Sequence, residues 1–414
     1  MSRQRPRRAA VTGLGVIAPN GQHADAYWKS VREGLFVLDR ITREGCENMP
    51  LRVGGEVRAF DAADHIDEPF LVQTDRFSHF AMAAAALALE DAGLSRGELE
   101  EPYSVGVVTA AGSGGGEFGQ RELQKLWGQG SKFVGPYQSI AWFYAASTGQ
   151  ISIWSGFKGP CGVVASDEAG GLDAIAHAAR AVRRGTGAMV VGAAEAPLAP
   201  YSMVCQLGYP ELSTADDPER AYLPFTKAAR GFSPAEGGAV LVVEEENRAR
   251  EREVPVRALV AGHAATFTGA SRWDESREGL ARAIRGALDE AGCAPEEIDV
   301  VFADAMGVPD ADRAEAEALV DALGAHGTRV PVTAPKTGMG RAYCAAPVLD
   351  VAAAVFAMEH GQIPPTPHVF DICHDLDLVM SRARPAELRT ALVLSRGLMG
   401  SNAALVLRRG DSAR

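Results

Sequence analysis

The chain has no paired cysteines, no long apolar run and no clustered basic charge, and each absence removes a class of protein. Its six cysteines (Cys46, Cys161, Cys205, Cys293, Cys344 and Cys373) are scattered, with no Cys-x-x-Cys pair. That argues against a disulfide framework or a zinc site, and no metal or other cofactor is expected. No stretch reads as a membrane span and no signal-peptide pattern opens the chain, so a reducing cytoplasm is the expected compartment. Lys and Arg number 41 against 53 Asp and Glu, a net charge of −12. Such a balance argues against a nucleic-acid footprint, which needs clustered basic residues. The one basic run, Arg3 to Arg8, reads as a solvated tail.

What is present is apolar and periodic. With 414 residues and 47% apolar content, the chain can bury one large core, or two packed halves of about 200 residues each. Strands are expected over Ala9–Ile17, Val105–Thr109, Ala188–Ala193 and Gly237–Glu244. Helices are expected over Ala24–Glu33, Phe77–Ala92, Glu117–Trp127 and Leu172–Arg184. An internal echo divides the chain. Ala88-Leu89-Glu90-Asp91-Ala92-Gly93 ends one helix and leads through an acidic loop to Val105–Thr109. Ala287-Leu288-Asp289-Glu290-Ala291-Gly292 does the same before Val300–Ala303, about half the chain later. Leu172-Asp173 and Leu349-Asp350 open two further Ala-rich helices. This is the pattern of a duplicated α/β unit. The halves are expected to be residues 1–250, with inserted helices, and 251–414, meeting in the charged run Glu246–Pro255.

The stretch from Gly159 to Asp173 reads as a buried strand, a tight turn and a helix start. Such an elbow presents a nucleophile beside backbone N–H groups that hold an oxyanion. Here the turn carries Glu168, and a glutamate cannot carry a thioester through repeated acyl transfers. His177 lies more than two turns further along the helix and reads as a packed or exposed helix residue rather than a catalytic one. His263, His326, His360, His368 and His374 match no catalytic motif, and Cys161 reads as core strand.

Val11-Thr12-Gly13-Leu14-Gly15, Leu223-Pro224-Phe225, Glu236-Gly237-Gly238-Ala239-Val240-Leu241-Val242 and Ser395-Arg396-Gly397-Leu398-Met399-Gly400-Ser401-Asn402 resemble segments of the β-ketoacyl synthases of the thiolase superfamily. The resemblance covers nearly the whole chain. It implies a thiolase-like α/β fold: duplicated βαβαβαββ halves in a five-layer αβαβα arrangement. It also implies that the family's cysteine and two histidines are missing, at Glu168, Met306 (Asp304-Ala305-Met306-Gly307-Val308) and Arg341 (Lys336-Thr337-Gly338-Met339-Gly340-Arg341). Lys336 is retained, and Leu398 stands where a gating phenylalanine is usual.

Glu117-Phe118, Arg121-Glu122, Lys125-Leu126-Trp127, Ala141-Trp142-Phe143-Tyr144-Ala145 and Thr214-Ala215-Asp216-Asp217-Pro218 narrow the resemblance. They are similar to the chain length factors, or ketosynthase β subunits, of bacterial type II aromatic polyketide synthases. Those usually carry glutamine at the elbow. The resemblance implies a non-catalytic subunit in heterodimer with a ketosynthase α subunit, served by an acyl carrier protein that brings malonyl and polyketide chains. No nucleic-acid or membrane partner is expected. The heterodimer is expected to form through the strand Ala188–Ala193. The same resemblance places Gly116, Gly119, Leu123 and Ile140 on a tunnel that sets poly-β-keto chain length. Small side chains there imply a long product, roughly ten to twelve ketide units, because they leave volume that bulky ones would fill.

Two points stay open at this level. Glu168 is either a polar filler, favourable at a helix N-terminus, or a decarboxylase residue that makes an acetyl primer from malonyl. Arg341 either pairs with Glu168 across the site or does not.

Overall fold

The computed structural model describes residues 7–97, 101–269 and 273–410, with Asp274 as backbone alone. Arg3 and Arg5 of the basic run, and residues 98–100 of the acidic loop, lie outside the described residues. Arg8 is no loose tail residue: its Nη2 donates to Glu246 Oε1 at 2.6 Å.

One order of elements occurs twice. The first half runs β1 (Ala9–Ile17), α1 (Arg76–Asp91), β2 (Val105–Ala110), α2 (Gly116–Gln129), α3 (Ala146–Ser155), β3 (Cys161–Val164), α4 (Gly170–Arg183), β4 (Ala188–Glu195) and β5 (Gly237–Glu245). The second runs β6 (Ala258–Phe267), α5 (Ser276–Ala291), β7 (Val300–Phe302), α6 (Pro309–Leu323), β8 (Pro331–Thr333), α7 (Ala346–His360), β9 (Thr390–Arg396) and β10 (Ser401–Arg409). In space the strands lie β3-β2-β4-β5-β1 and β8-β7-β9-β10-β6, the same order in both halves. The two half-sheets join edge to edge where Ala9–Val11 pair with Ala258–Val260. Helices α4 and α7 sit between them and touch strands of both, α1 covers the outer face of the first, and α5 that of the second. This is the five-layer arrangement.

The sequence echo has a physical cause. A Cβ on Gly13 of β1 would stand 2.2 Å from the Ala88 carbonyl, and one on Gly262 of β6 would stand 2.2 Å from the Ala287 carbonyl. Each glycine lets the Ala-rich end of the outer helix lie directly on its strand. Between the sheets, α7 is buried on all sides apart from its last turn, as its almost wholly apolar sequence requires.

Two expectations are corrected here. Strand β4 hydrogen-bonds to β2 on one side and β5 on the other. It therefore has no free edge with which to pair another subunit. The open edge is β3, bonded only to β2. For the same reason Cys161 is exposed at that edge rather than in the core.

Candidate functional site

The elbow forms as its residues dictate. Strand β3 ends at Val164, and Asp167 turns the chain with φ +58°. Glu168 follows, and α4 begins at Gly170. The left-handed turn at a residue with a Cβ is strained, by roughly 1–3 kcal/mol. It is held by the Asp167 carboxylate, which accepts from Met399 N at 2.7 Å. Ala305 (φ +51°) and Tyr343 (φ +48°) repeat this strain beside the other two altered positions, Met306 and Arg341. All three altered positions thus stand within two residues of a left-handed, non-glycine turn.

In their place lies a buried charge network. Arg341, 1% exposed, donates Nε to Glu168 Oε2 at 2.6 Å and Nη2 to Asp304 Oδ1 at 2.7 Å. It also donates to the carbonyls of Asp304 and Arg396, at 2.8 and 2.7 Å. The ion pair left open by the sequence is therefore present. Arg396, fully buried, donates to Asp304 Oδ2 at 3.1 Å and Glu315 Oε2 at 3.0 Å. Lys336 donates to the Ala303 carbonyl at 2.7 Å and lies 2.5 Å from Asp350 Oδ2. Asp312 accepts from the backbone of Phe225 and Gly307.

Three cations here face five carboxylates, so the group cannot all be ionised in a dry interior. Burial pushes Glu168 up to about 8, against the opposing pull of Arg341. Burial likewise raises Asp312 to about 7 and Asp350 to about 6, the latter opposed by Lys336. Glu315 is raised by burial as well. Asp304 goes the other way. Burial acts to raise it, but Arg341, Arg396 and Lys336 together outweigh that and hold it below the ordinary carboxylate range. Asp304 is the anionic centre, and Glu168 is a proton-holding acid near neutrality. One Glu168 oxygen, Oε1, accepts no hydrogen bond.

Met306 is fully buried in the apolar cluster of Tyr222 and Phe232, and the Arg341 guanidinium lies 5.6 Å from the Phe232 ring centre. Leu398 is half-buried at the edge of the same cluster. Glu168, Met306, Arg341, Lys336 and Leu398 thus gather around one site. Sequence reading did not single out Asp304, Arg396, Glu315 or Asp350. The available signal was a charge at the end of a buried apolar strand, as in Val300–Asp304 and Thr390–Arg396. Nor does any thiol stand in for the missing one: Cys344 is buried, its pKa is raised by burial, and it donates to Glu195 Oε1 at 2.8 Å.

The four residues assigned to the tunnel do not share one environment. A Cβ on Gly116 would stand 2.0 Å from Ser202 Oγ in the helix Pro200–Gln206. Gly116 thus packs against the Ser202 hydroxyl, the rotatable end of a short side chain, with Ser202 Cβ next at 3.3 Å. Gly119 is different: a Cβ there would meet Trp142 Cβ at 3.8 Å and Gln138 Nε2 at 3.9 Å, both ordinary van der Waals contacts. Ile140 is half-buried and Leu123 lies 36% exposed. Around them the surface is aromatic: Trp127 is 82% exposed, and Phe133, Tyr137, Trp142, Phe143 and Tyr144 are also exposed.

No helix among the described residues is long and apolar enough to cross a membrane. The family model "Beta-ketoacyl synthase, N-terminal domain" matches residues 7–249, and "Beta-ketoacyl synthase, C-terminal domain" matches residues 257–370. "Putative polyketide beta-ketoacyl synthase 2" of Streptomyces cyaneus is 78% identical over 99% of this chain and 98% of its own length. The tetracenomycin polyketide synthase ketoacyl synthase beta subunit of Streptomyces glaucescens is 50% identical, over 98% of this chain and 99% of its own. Among solved structures, the ishigamide ketosynthase/chain length factor superposes with a TM-score of 0.88 at 28% identity, covering 98% of this chain and 99% of that one. With matches of this extent and identity, the chain belongs to the beta-ketoacyl synthase family, in the branch of polyketide ketoacyl synthase beta subunits.

Proposed function

We propose that this chain is the chain length factor of a type II polyketide ketosynthase heterodimer. It catalyses no condensation itself, and it shapes the tunnel that sets poly-β-keto chain length. The observation that carries this reading is Glu168. The residue at the nucleophile's position is a carboxyl group tied to a buried arginine, with no thiol beside it. Acyl transfer to the elbow needs an activated nucleophile, which the partner must supply from its own cysteine and histidines. An acyl carrier protein delivers malonyl units to that partner.

The surface supports a permanent partner. Exposed aromatics on α2 and on the segment 131–145 run into α3, which packs beside the open edge strand β3. Apolar area of this kind, next to unpaired strand edge, suits an obligate interface. Gly119, with Leu123 one turn further along α2 and Ile140 on the short helix Gln138–Ala141 packed against it, is where the chain end would meet the wall. A long product is expected because glycine at positions 116 and 119 puts no bulky side chain on this face of α2.

One observation favours the decarboxylase reading as an alternative. A Glu168 carboxyl that keeps its proton near neutral pH can donate a hydrogen bond, as an anionic carboxylate cannot. Against it, Glu168 is 3% exposed and already engaged by Arg341. The test is reconstitution with an intact ketosynthase α subunit and malonyl-loaded carrier protein, followed by product mass measurement. The complex is expected to make full-length chains and the isolated chain none. Acylation and extension by the isolated chain would overturn the proposal. Failure of Glu168→Ala to prime from malonyl alone, rescued by a supplied acetyl starter, would favour the decarboxylase.

A further inference from the structure

Helix α2 begins without a cap of its own. It follows the run Gly112-Ser113-Gly114-Gly115, and its N-cap residue, Gly115, has no side chain to accept a backbone N–H. None would fit there: a Cβ on Gly115 would stand 2.0 Å from the Ala141 carbonyl and 2.9 Å from Asp75 Cβ. The missing acceptor comes from far back in the chain. Asp75 Oδ2 accepts from Phe118 N, in the first turn of α2, at 2.6 Å. Its other oxygen, Oδ1, accepts from Phe77 N at 3.2 Å and so caps α1, of which Asp75 is the N-cap residue. One carboxylate thus caps two helices.

The two helices are anchored very differently. α1 packs on strands β1, β4 and β5 of the large sheet, whereas α2 packs mainly on three short helices, Ser131–Phe133, Gln138–Ala141 and Pro200–Gln206. The Asp75 bond therefore refers α2 to a helix that the sheet holds in place. Asp75 is 1% exposed. Burial raises its pKa to about 6, against the two backbone donors, while Glu117 and Arg121 on α2 act in opposite directions. At pH 7 it is a charged acceptor, which makes the stronger hydrogen bond, and the positive ends of two helices favour that charge. A second buried carboxylate holds the approach: Glu195, at the end of β4, accepts from Gly112 N at 2.6 Å and from Ser113 Oγ at 2.8 Å. Without such ties, a glycine-rich lead leaves the start of a helix free to settle in several positions.

We infer that Asp75 is a positioning residue for chain length: by capping α2 from α1, it fixes where the helix face bearing Gly116, Gly119 and Leu123 stands. The inference rests on the chain length reading proposed above, in which that face meets the growing chain. Asp75 touches no substrate and acts through Phe118 N. Its loss leaves α1 on the sheet and lets the first turn of α2 shift. Chains then stop at several lengths instead of one.

The test uses the reconstituted heterodimer with malonyl-loaded carrier protein as probe. Assembly is measured by size-exclusion chromatography and product lengths by mass spectrometry. Asp75→Ser keeps a good N-cap for α1, but its single oxygen leaves Phe118 N without an acceptor; Gly119→Phe serves as the reference variant. In the assembled Asp75→Ser complex, the ratio of wild-type-length product to all other lengths is expected to fall about ten-fold, the weight that one charge-assisted hydrogen bond gives one helix position over another. Asp75→Asn, whose amide oxygen still accepts from Phe118 N, is expected to restore part of that ratio. If the Asp75→Ser ratio is unchanged while Gly119→Phe shortens the product, Asp75 only caps α1: the tunnel reading stands and the inference is refuted. If neither variant alters length, the tunnel reading fails and the inference with it. If Asp75→Ser does not assemble, Asp75→Asn decides: a lowered ratio supports the inference, and an unchanged one refutes it.

Discussion

Replacing Arg341 by methionine is the perturbation that the buried network makes most costly. Methionine keeps much of the stem's packing and removes every donor. Glu168 Oε2 and Asp304 Oδ1 lose contacts of 2.6 and 2.7 Å, and the carbonyls of Asp304 and Arg396 each lose a donor, the former keeping Lys336 Nζ at 3.2 Å. Breaking a buried pair from one side typically costs about 3–5 kcal/mol. Two features place this case at the lower end. Glu168 holds its proton up to about pH 8 and so need not remain a bare charge at pH 7. Asp304 keeps Arg396, at 3.1 Å. The expected loss is about 3 kcal/mol. Glu168→Met alone leaves Arg341 with Asp304 and both carbonyls, and should cost about 1–2 kcal/mol. The double variant removes both ends of one contact, so its loss should fall short of the two singles combined by about 1–2 kcal/mol. That coupling should be larger at pH 9, where Glu168 is ionised, than at pH 7. Urea unfolding followed by fluorescence of the five tryptophans measures all four corners of the cycle. Losses that simply add at both pH values would refute the reasoning, because the two residues would then act independently.

Three further outcomes are expected. Glu168, Asp312 and Asp350 have folded pKa values of about 8, 7 and 6, above their ordinary 4.5, 3.8 and 3.8. The folded chain therefore holds protons that the unfolded chain releases, and their contribution is full below about pH 4 and lost as pH rises towards 8. Melting scans from pH 7 to 8.5 should show falling stability, and Glu168→Gln should flatten that slope; an unaltered slope would show that another group is responsible. Gly116→Ala should cost at most about 1 kcal/mol, because the atom in the way, Ser202 Oγ, ends a side chain that can turn aside, and Ser202→Ala should remove that cost, whereas Gly119→Phe should assemble and shorten the product. Thermal unfolding and product mass separate the two, and equal behaviour would contradict the different surroundings found for them. Val163→Lys on the open edge strand should block pairing with the partner subunit; normal heterodimer on size-exclusion chromatography would mean that β3 is not the seam.

Much of the site was legible from residue types alone. Glu168, Met306 and Arg341 stand in recognisable segments, and a missing thiol or imidazole can be read without coordinates. The duplication was legible too, because packing α1 on β1 and α5 on β6 makes the same local demand in both halves: glycine in the strand, alanine at the helix end. The surroundings of Gly116 and Gly119 were not legible. Both fall on α2, three residues apart, but a Cβ on the first would meet Ser202 Oγ at 2.0 Å and one on the second would make only ordinary contacts with Trp142 and Gln138. That difference comes from the helix Pro200–Gln206, far along the chain.

By itself the sequence determined the family, the duplicated α/β plan, and the absence of a cysteine and two histidines from their expected motifs, because each depends on which residue stands in a local motif. Only the tertiary structure decided what replaced that chemistry. Arg341, Glu168, Asp304, Arg396 and Glu315 are brought together from the loops that follow β3, β7 and β8, from the end of β9 and from helix α6. Whether each carboxyl is charged depends on burial and on which cations lie within reach. The same holds for the open edge: β3 and β4 are both apolar strands, and only sheet order leaves β3 with an unpaired edge. Electrostatics and strand pairing act across space, between residues whose separation along the chain carries no record of their distance.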